Sequence, residues 1–220
     1  MDKRKGKTFS ERLKPEDFNT RYFSSGGYNE YKKDVASWVG TAARRIRGLL
    51  RNVEHPEVLD VGCAHGYLIA ALQGKYRIKV QGLEYSAYAV RTAKSSVKGR
   101  IRQGSVLERS LFPHGHFDLV SCLDMFGYLS ISETQRAANN LAYWTKEYIL
   151  FSTLYRHSPQ ASQKINPDAL RITTLSQKEY KTVFRKAGVR FVKKIDFGNG
   201  GEVFIFKKHG EKIKRSENIN

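Results

Sequence analysis

This chain has little cysteine, little proline and little acid. Among 220 residues there are two cysteines, five prolines and 21 acidic residues, set against 39 lysines and arginines. Two thiols, Cys63 and Cys122, with no Cys-x-x-Cys pair argue against a disulfide framework or a zinc ribbon. A reducing compartment is expected instead, the cytoplasm by default. No stretch approaches the roughly 20 apolar residues that a membrane-spanning helix needs. The basic start Met1-Asp2-Lys3-Arg4-Lys5 leads into no apolar segment, so it does not read as a secretory signal. The pair His114-Gly115-His116 has no Cys, Asp or Glu ligand close by in sequence. It reads as a solvated turn, and no metal is expected.

A composition of 40% hydrophobic and 12% aromatic residues is that of a globular protein, and the length suits one domain. The net charge is +18. Residues 1–14 carry +4 of it and residues 207–220 carry +3, which leaves +11 on the body. The ends alone therefore do not account for the excess. Such a charge attracts polyanions, nucleic acid first, although it also serves solubility. Residues 1–20 are polar, charged and without period, so they are expected to form a flexible basic tail. The folded domain is expected over 21–208, followed by a second basic tail over 209–220.

From Tyr28 to Arg51 apolar residues recur at three- and four-residue steps, which predicts one amphipathic helix. Its outer face carries Lys33, Arg44, Arg47 and Arg51, with Arg45 beside them. Strands are predicted at 58–61, 78–84, 100–103, 117–123 and 148–153, with helices at 67–72, 87–97 and 133–144 between them. That alternation implies a parallel sheet with right-handed crossovers. Residues 154–175 show no period and contain Pro159 and Pro167, as a substrate-side loop would. A helix over 177–187 stops at Gly188. Strands 190–196 and 202–207, joined by Gly198-Asn199-Gly200-Gly201, predict a closing antiparallel hairpin.

The most informative segment is Val58-Leu59-Asp60-Val61-Gly62-Cys63-Ala64-His65-Gly66-Tyr67-Leu68. A buried strand runs into a glycine turn and then a helix, whose first N–H groups lack partners within the helix. The next strand ends in Glu84, and Ser86 caps the helix after it. An acid at that place can accept both hydroxyls of a ribose. The order Gly62-x-Ala64-x-Gly66 is not the dinucleotide spacing G-x-G-x-x-G.

It resembles motif I of the class I S-adenosylmethionine-dependent methyltransferases. The resemblance continues through Gly82-Leu83-Glu84-Tyr85-Ser86, Gln103-Gly104-Ser105-Val106 and Phe117-Asp118-Leu119-Val120, covering roughly residues 30–208. It implies a Rossmann-like α/β fold, with a mostly parallel seven-stranded sheet, helices on both faces and a C-terminal antiparallel hairpin. It also implies S-adenosyl-L-methionine as cofactor. Carried over residue by residue, Asp60, Gly62, Cys63, Ala64 and Gly66 surround the methionine end, and Glu84 takes the ribose. Tyr85, Ser105 and Val106 line the adenine, while Cys122 and Leu123 border the cofactor through the strand. Tyr22 belongs to a segment that in relatives covers the cofactor, as do Tyr28 and Tyr31, the last read as cover for the sheet.

After the fourth strand, many small-molecule methyltransferases have Glu-His where this chain has Gly127-Tyr128. The candidates for acceptor chemistry are then Asp124, Tyr128 and His157. No Asn/Asp-Pro-Pro-Tyr follows the fourth strand, which disfavours the amide and exocyclic-amine arrangement that uses it. Transfer to an N or O nucleophile of a small molecule or sugar precursor is expected, with RNA as the alternative acceptor through the basic surface. A cofactor- or nucleic-acid-binding protein without catalysis is a third possibility, since fold does not fix function. The sequence says nothing of oligomeric state.

Overall fold

A computed structural model describes residues 9–24, 31–156, 170–197 and 201–209. Its seven strands are β1 (Glu57–Val61), β2 (Lys79–Glu84), β3 (Ile101–Gln103), β4 (Phe117–Leu123), β5 (Thr145–Ser152), β6 (Val189–Asp196) and β7 (Glu202–Lys208). They form one sheet in the order β3-β2-β1-β4-β5-β7-β6. The first five are parallel to one another, and β7 runs antiparallel to both β5 and β6.

Alternation along the strands sends side chains to two cores. On one face Val58, Val80, Leu119 and Leu150 meet Ala42, Ala43 and Ile46 of α3 (Tyr31–Leu49) and Leu68, Ile69 and Leu72 of α4 (Tyr67–Tyr76). On the other, Leu59, Val61, Val120, Cys122 and Phe151 meet Ala138 and Leu141 of α6 (Ile131–Trp144) and Tyr180 and Phe184 of α7 (Gln177–Lys186). Both of these last helices start on capping boxes, Ser130 with Glu133 and Ser176 with Glu179. Among the described residues no helix is long and apolar enough to cross a membrane, and no group of three or more His, Cys, Asp or Glu could hold a metal.

The structure departs from expectation at three places. Helix α5 (Ala87–Thr92) ends five residues before the expected Val97. The Thr92 hydroxyl donates to the Tyr88 carbonyl at 2.7 Å, and the Lys94 amide turns away to the His65 carbonyl at 3.2 Å. Strand β5 begins at Thr145, directly at the end of α6 and three residues before the expected start. The third correction matters most. Residues 9–24, largely assigned to a mobile tail, form α1 (Phe9–Arg12), a short turn and α2 (Thr20–Ser24), and they pack on the domain through buried Phe9, Leu13 and Phe18.

Because β2 lies on one side of β1 and β4 on the other, the strand order reverses between β1 and β4. Open α/β sheets bind ligands at the carboxyl ends of the strands at such a switch point.

Candidate active site

The turn leaving β1 has alternate residues in the left-handed region, Gly62 at φ 72°, Ala64 at φ 46° and Gly66 at φ 74°. A side chain at Gly66 would also meet Val97 Cγ2 at 2.7 Å. Ala64 is the one position of the three where a Cβ is tolerated, at a cost of about 1 kcal/mol for its backbone. The amides of Gly62 and Cys63 donate to the Leu83 carbonyl at 2.8 and 3.3 Å, which draws the turn onto the end of β2. There Glu84 Oε2 accepts from the Ala64 amide at 2.7 Å and Oε1 from the Ser86 amide at 2.8 Å.

Asp60 and Glu84 are both buried and both face one cavity of about 530 Å³. Burial pushes the Asp60 pKa up to about 7, against a lowering hydrogen bond from Ser121 Oγ at 2.7 Å and with a further raise from the Glu84 charge. Burial raises Glu84 as well, opposed by the amides of Ser86, Ala64 and Tyr85. Among the described residues neither carboxylate is in a salt bridge. A cavity walled by two buried carboxylates without a counter-cation suits a ligand that carries positive charge.

The N-terminal segment roofs this cavity. Phe9, Phe18, Tyr22 and Phe23 line it from above. The segment is tied down by polar contacts at several points. Tyr85 donates to the Leu13 carbonyl at 3.0 Å, and Ser86 Oγ to the Phe18 carbonyl at 2.5 Å. Arg12 forms an ion pair with Glu133 at 2.6 Å, with the two side chains 1% and 11% exposed, and also donates to the Tyr128 carbonyl at 3.2 Å. The Tyr22 and Tyr128 hydroxyls lie 2.5 Å apart.

At the end of β4, Asp124 sits at φ 62° and donates its amide to the Ser152 carbonyl at 2.7 Å. Its carboxylate is gripped on both oxygens by Arg171, at 3.0 and 2.6 Å. The same guanidinium lies 4.9 Å from the centre of the Tyr128 ring. Trp38 and Phe197, stacked 6.1 Å apart, add an aromatic wall.

Of the residues singled out in the sequence, Tyr22, Asp60, Gly62, Cys63, Ala64, Glu84, Tyr85, Val106, Leu123, Asp124 and Tyr128 line this one cavity. Gly66, Ser105 and Cys122 do not. Gly66 opens α4 beneath the turn. The Ser105 hydroxyl accepts from the Leu107 amide at 3.2 Å and so shapes its own turn. Cys122 is fully buried in the core, and burial holds both thiols well above their ordinary pKa. His157 and Tyr28 lie outside the described residues, and of Tyr31 only the place at the start of α3 is described. Arg171 and the roof residues Phe9 and Phe18 were not anticipated. Phe9, Leu13 and Phe18, spaced four and five apart in a charged stretch, were the available signal for the roof. Nothing in the sequence marked Arg171.

A switch-point cavity with an acid at the end of β2 defines the chain first as a Rossmann-like enzyme fold. A family model described as a methyltransferase domain matches residues 58–147, which run from β1 into β5. Over that segment the chain is similar to the class I S-adenosylmethionine-dependent methyltransferases. No curated protein matches it in sequence. Among solved structures, DesVI of Streptomyces venezuelae is similar at 18% identity and TM-score 0.66, covering 83% of this chain and 97% of that one. A SAM-dependent methyltransferase from Archaeoglobus fulgidus is similar at 15% identity and TM-score 0.64, covering 83% and 100%. Magnesium protoporphyrin IX methyltransferase from Synechocystis PCC 6803, with SAH bound, is similar at 15% identity and TM-score 0.63, covering 87% and 96%. Likeness at these identities speaks for the fold alone.

Proposed function

We propose that this methyltransferase acts on an N or O nucleophile of a small molecule that enters the roofed cavity. The observation that carries this reading is the roof itself. With residues 9–24 fastened through Arg12–Glu133 and Tyr22–Tyr128, the site is a covered chamber of about 530 Å³, a size suited to a cofactor and a compact acceptor.

The residues fit the cofactor. Glu84 spends one lone pair of each oxygen on a backbone amide and retains others for the ribose hydroxyls. Asp60, Gly62 and Ala64 stand where the methionine end lies, and Tyr85 and Val106 stand along the adenine. When bound, S-adenosylmethionine supplies an electrophilic methyl on a sulfonium. The protein's part is to orient the acceptor in line with that methyl and to limit the water around it, and the roof serves both. Asp124 and Tyr128 are the polar groups at the acceptor end.

A second reading has RNA as the acceptor. The +18 charge, the exposed Arg44 and Arg45 on α3 and Arg51 just after it favour it.

Two measurements test the proposal together. S-adenosylhomocysteine is expected to bind saturably, and Glu84→Ala to weaken it by about 1–3 kcal/mol through unpaired polar groups. Label from methyl-labelled S-adenosylmethionine, offered to a cell extract, is expected in the small-molecule fraction. Label confined to RNA would replace this reading with the second.

A further inference from the structure

Four carboxylates, Asp60, Glu84, Asp124 and Glu202, line the cavity of this strongly basic protein, and Arg171 is the single Lys or Arg among the described lining residues. At the acceptor end the Asp124 side chain is 53% exposed, whereas Arg171, behind it, is 16% exposed. The carboxylate is therefore what an acceptor meets. Arg171 fixes its plane by the two-oxygen grip, and is itself fixed by its place on the Tyr128 ring. The berth for that guanidinium exists because position 127 is glycine. A Cβ there would come within 2.8 Å of Arg171 Nη1, although Gly127 does not have a left-handed backbone. Gly127 also accepts from the amides of Ile172 and Thr173 at 2.8 and 3.1 Å, so the same residue anchors the strand of chain that carries the arginine.

We infer that this end of the cavity receives an amine, bound by Asp124, with Arg171 as the positioning residue seated in the space left by Gly127. This deepens the small-molecule reading and rests on it. A carboxylate held in one plane by a guanidinium keeps lone pairs on its outer edge for an N–H donor. The aromatic faces of Trp38 and Phe197 in the same cavity suit an ammonium and its carbon frame. An anionic acceptor would face the exposed edge of Asp124 and is disfavoured. For the transfer the bound ammonium first gives one proton to water along Asp124, which frees the nitrogen lone pair. That pair forms the new N–C bond as the S–C bond breaks, its electrons stay on sulfur in S-adenosylhomocysteine, and the positive charge passes from sulfur to nitrogen.

The test uses the full chain saturated with S-adenosylhomocysteine and three probes of one shape, benzylamine, benzyl alcohol and benzoate, titrated by calorimetry or ligand-observed NMR. Benzylamine is expected to bind at least tenfold more tightly than either of the others. Asp124→Asn should abolish that preference. Arg171→Met and Gly127→Ala should each reduce it at least fivefold while leaving S-adenosylhomocysteine affinity within about twofold, which shows that the fold and cofactor end are intact. Gly127→Ala is the sharper of the two, since it keeps the arginine and displaces only its tip. Equal binding of the three probes, tighter binding of benzoate, or no binding of any would overturn the inference. So would a preference for benzylamine that survives both Arg171→Met and Gly127→Ala. Label found only in RNA in the extract experiment would remove the parent reading, while the probe titration would still decide what this end of the cavity accepts.

Discussion

Asp60 illustrates how a single buried group couples cofactor binding to pH. In the free protein burial raises its pKa from 3.8 to about 7, so near neutrality it is about half protonated. A ligand that brings positive charge to this wall favours the carboxylate form. Below pH 7 the site must first release a proton, and affinity for S-adenosylmethionine is expected to fall by up to tenfold per pH unit from 7 to 5, levelling off above 8. The stability of the free protein should move the other way. A carboxyl whose folded pKa lies above its unfolded one stabilises fully below the unfolded value, and that contribution is lost as pH rises through 7. Asp60→Asn is therefore expected to raise the melting temperature at pH 8, to leave it nearly unchanged at pH 4, and to flatten the pH dependence of binding. Calorimetry across pH checks both halves, and a pH-independent affinity in the unsubstituted protein would refute the coupling.

At the scale of elements, the sheet and its switch point were legible because they rest on local chemistry. Hydrophobic runs gave the strands, Gly62 and Gly66 the turn, Ser86 the cap of α5. The acid at the end of β2 was legible for the same reason, since Glu84 lies at a fixed distance along the chain from the turn it bonds. Of the roof only Tyr22 was anticipated. Its attachment rests largely on pairs more than a hundred residues apart, Arg12 with Glu133 and Tyr22 with Tyr128, and sequence period carries no trace of them. Arg171 was hidden in the same way, in a stretch with neither period nor motif.

The buried pair among the roof's attachments gives a prediction. Glu133 accepts from the Phe9 amide, from Arg12 and from the Ser130 amide, so it joins the roof to the first turn of α6. Arg12→Met leaves that carboxylate with its amide partners but without its cation. Breaking a buried pair costs about 3–5 kcal/mol, toward the lower end where hydrogen bonds remain. Denaturant unfolding should show a loss of about 3 kcal/mol, and bound S-adenosylhomocysteine should dissociate at least tenfold faster as the roof loosens. Unchanged dissociation would mean that the roof does not retain the ligand.

For the whole molecule the question is what the +18 charge does. Arg44 and Arg45 on α3, Arg51 just after it, and Arg190, Lys193 and Lys194 on β6 are exposed, whereas Asp60 and Glu84 are buried in the cavity wall. The two acceptor readings then respond to salt in opposite directions. An RNA held by surface lysines and arginines binds by releasing counterions, and its affinity falls by about 10³–10⁵ between 50 and 200 mM salt for 6–10 phosphate contacts. A small amine approaching a positive protein is repelled at long range, and salt with a Debye length of about 10 Å at 0.1 M screens that repulsion. Once inside the roofed cavity it meets Asp124 at short range, where screening is weak. The kcat/KM for an amine acceptor is therefore expected to stay within about threefold or to rise between 20 and 200 mM salt. A steep fall over the same range would place the acceptor on the basic surface and make the charge part of substrate binding; a flat or rising profile would leave it to solubility.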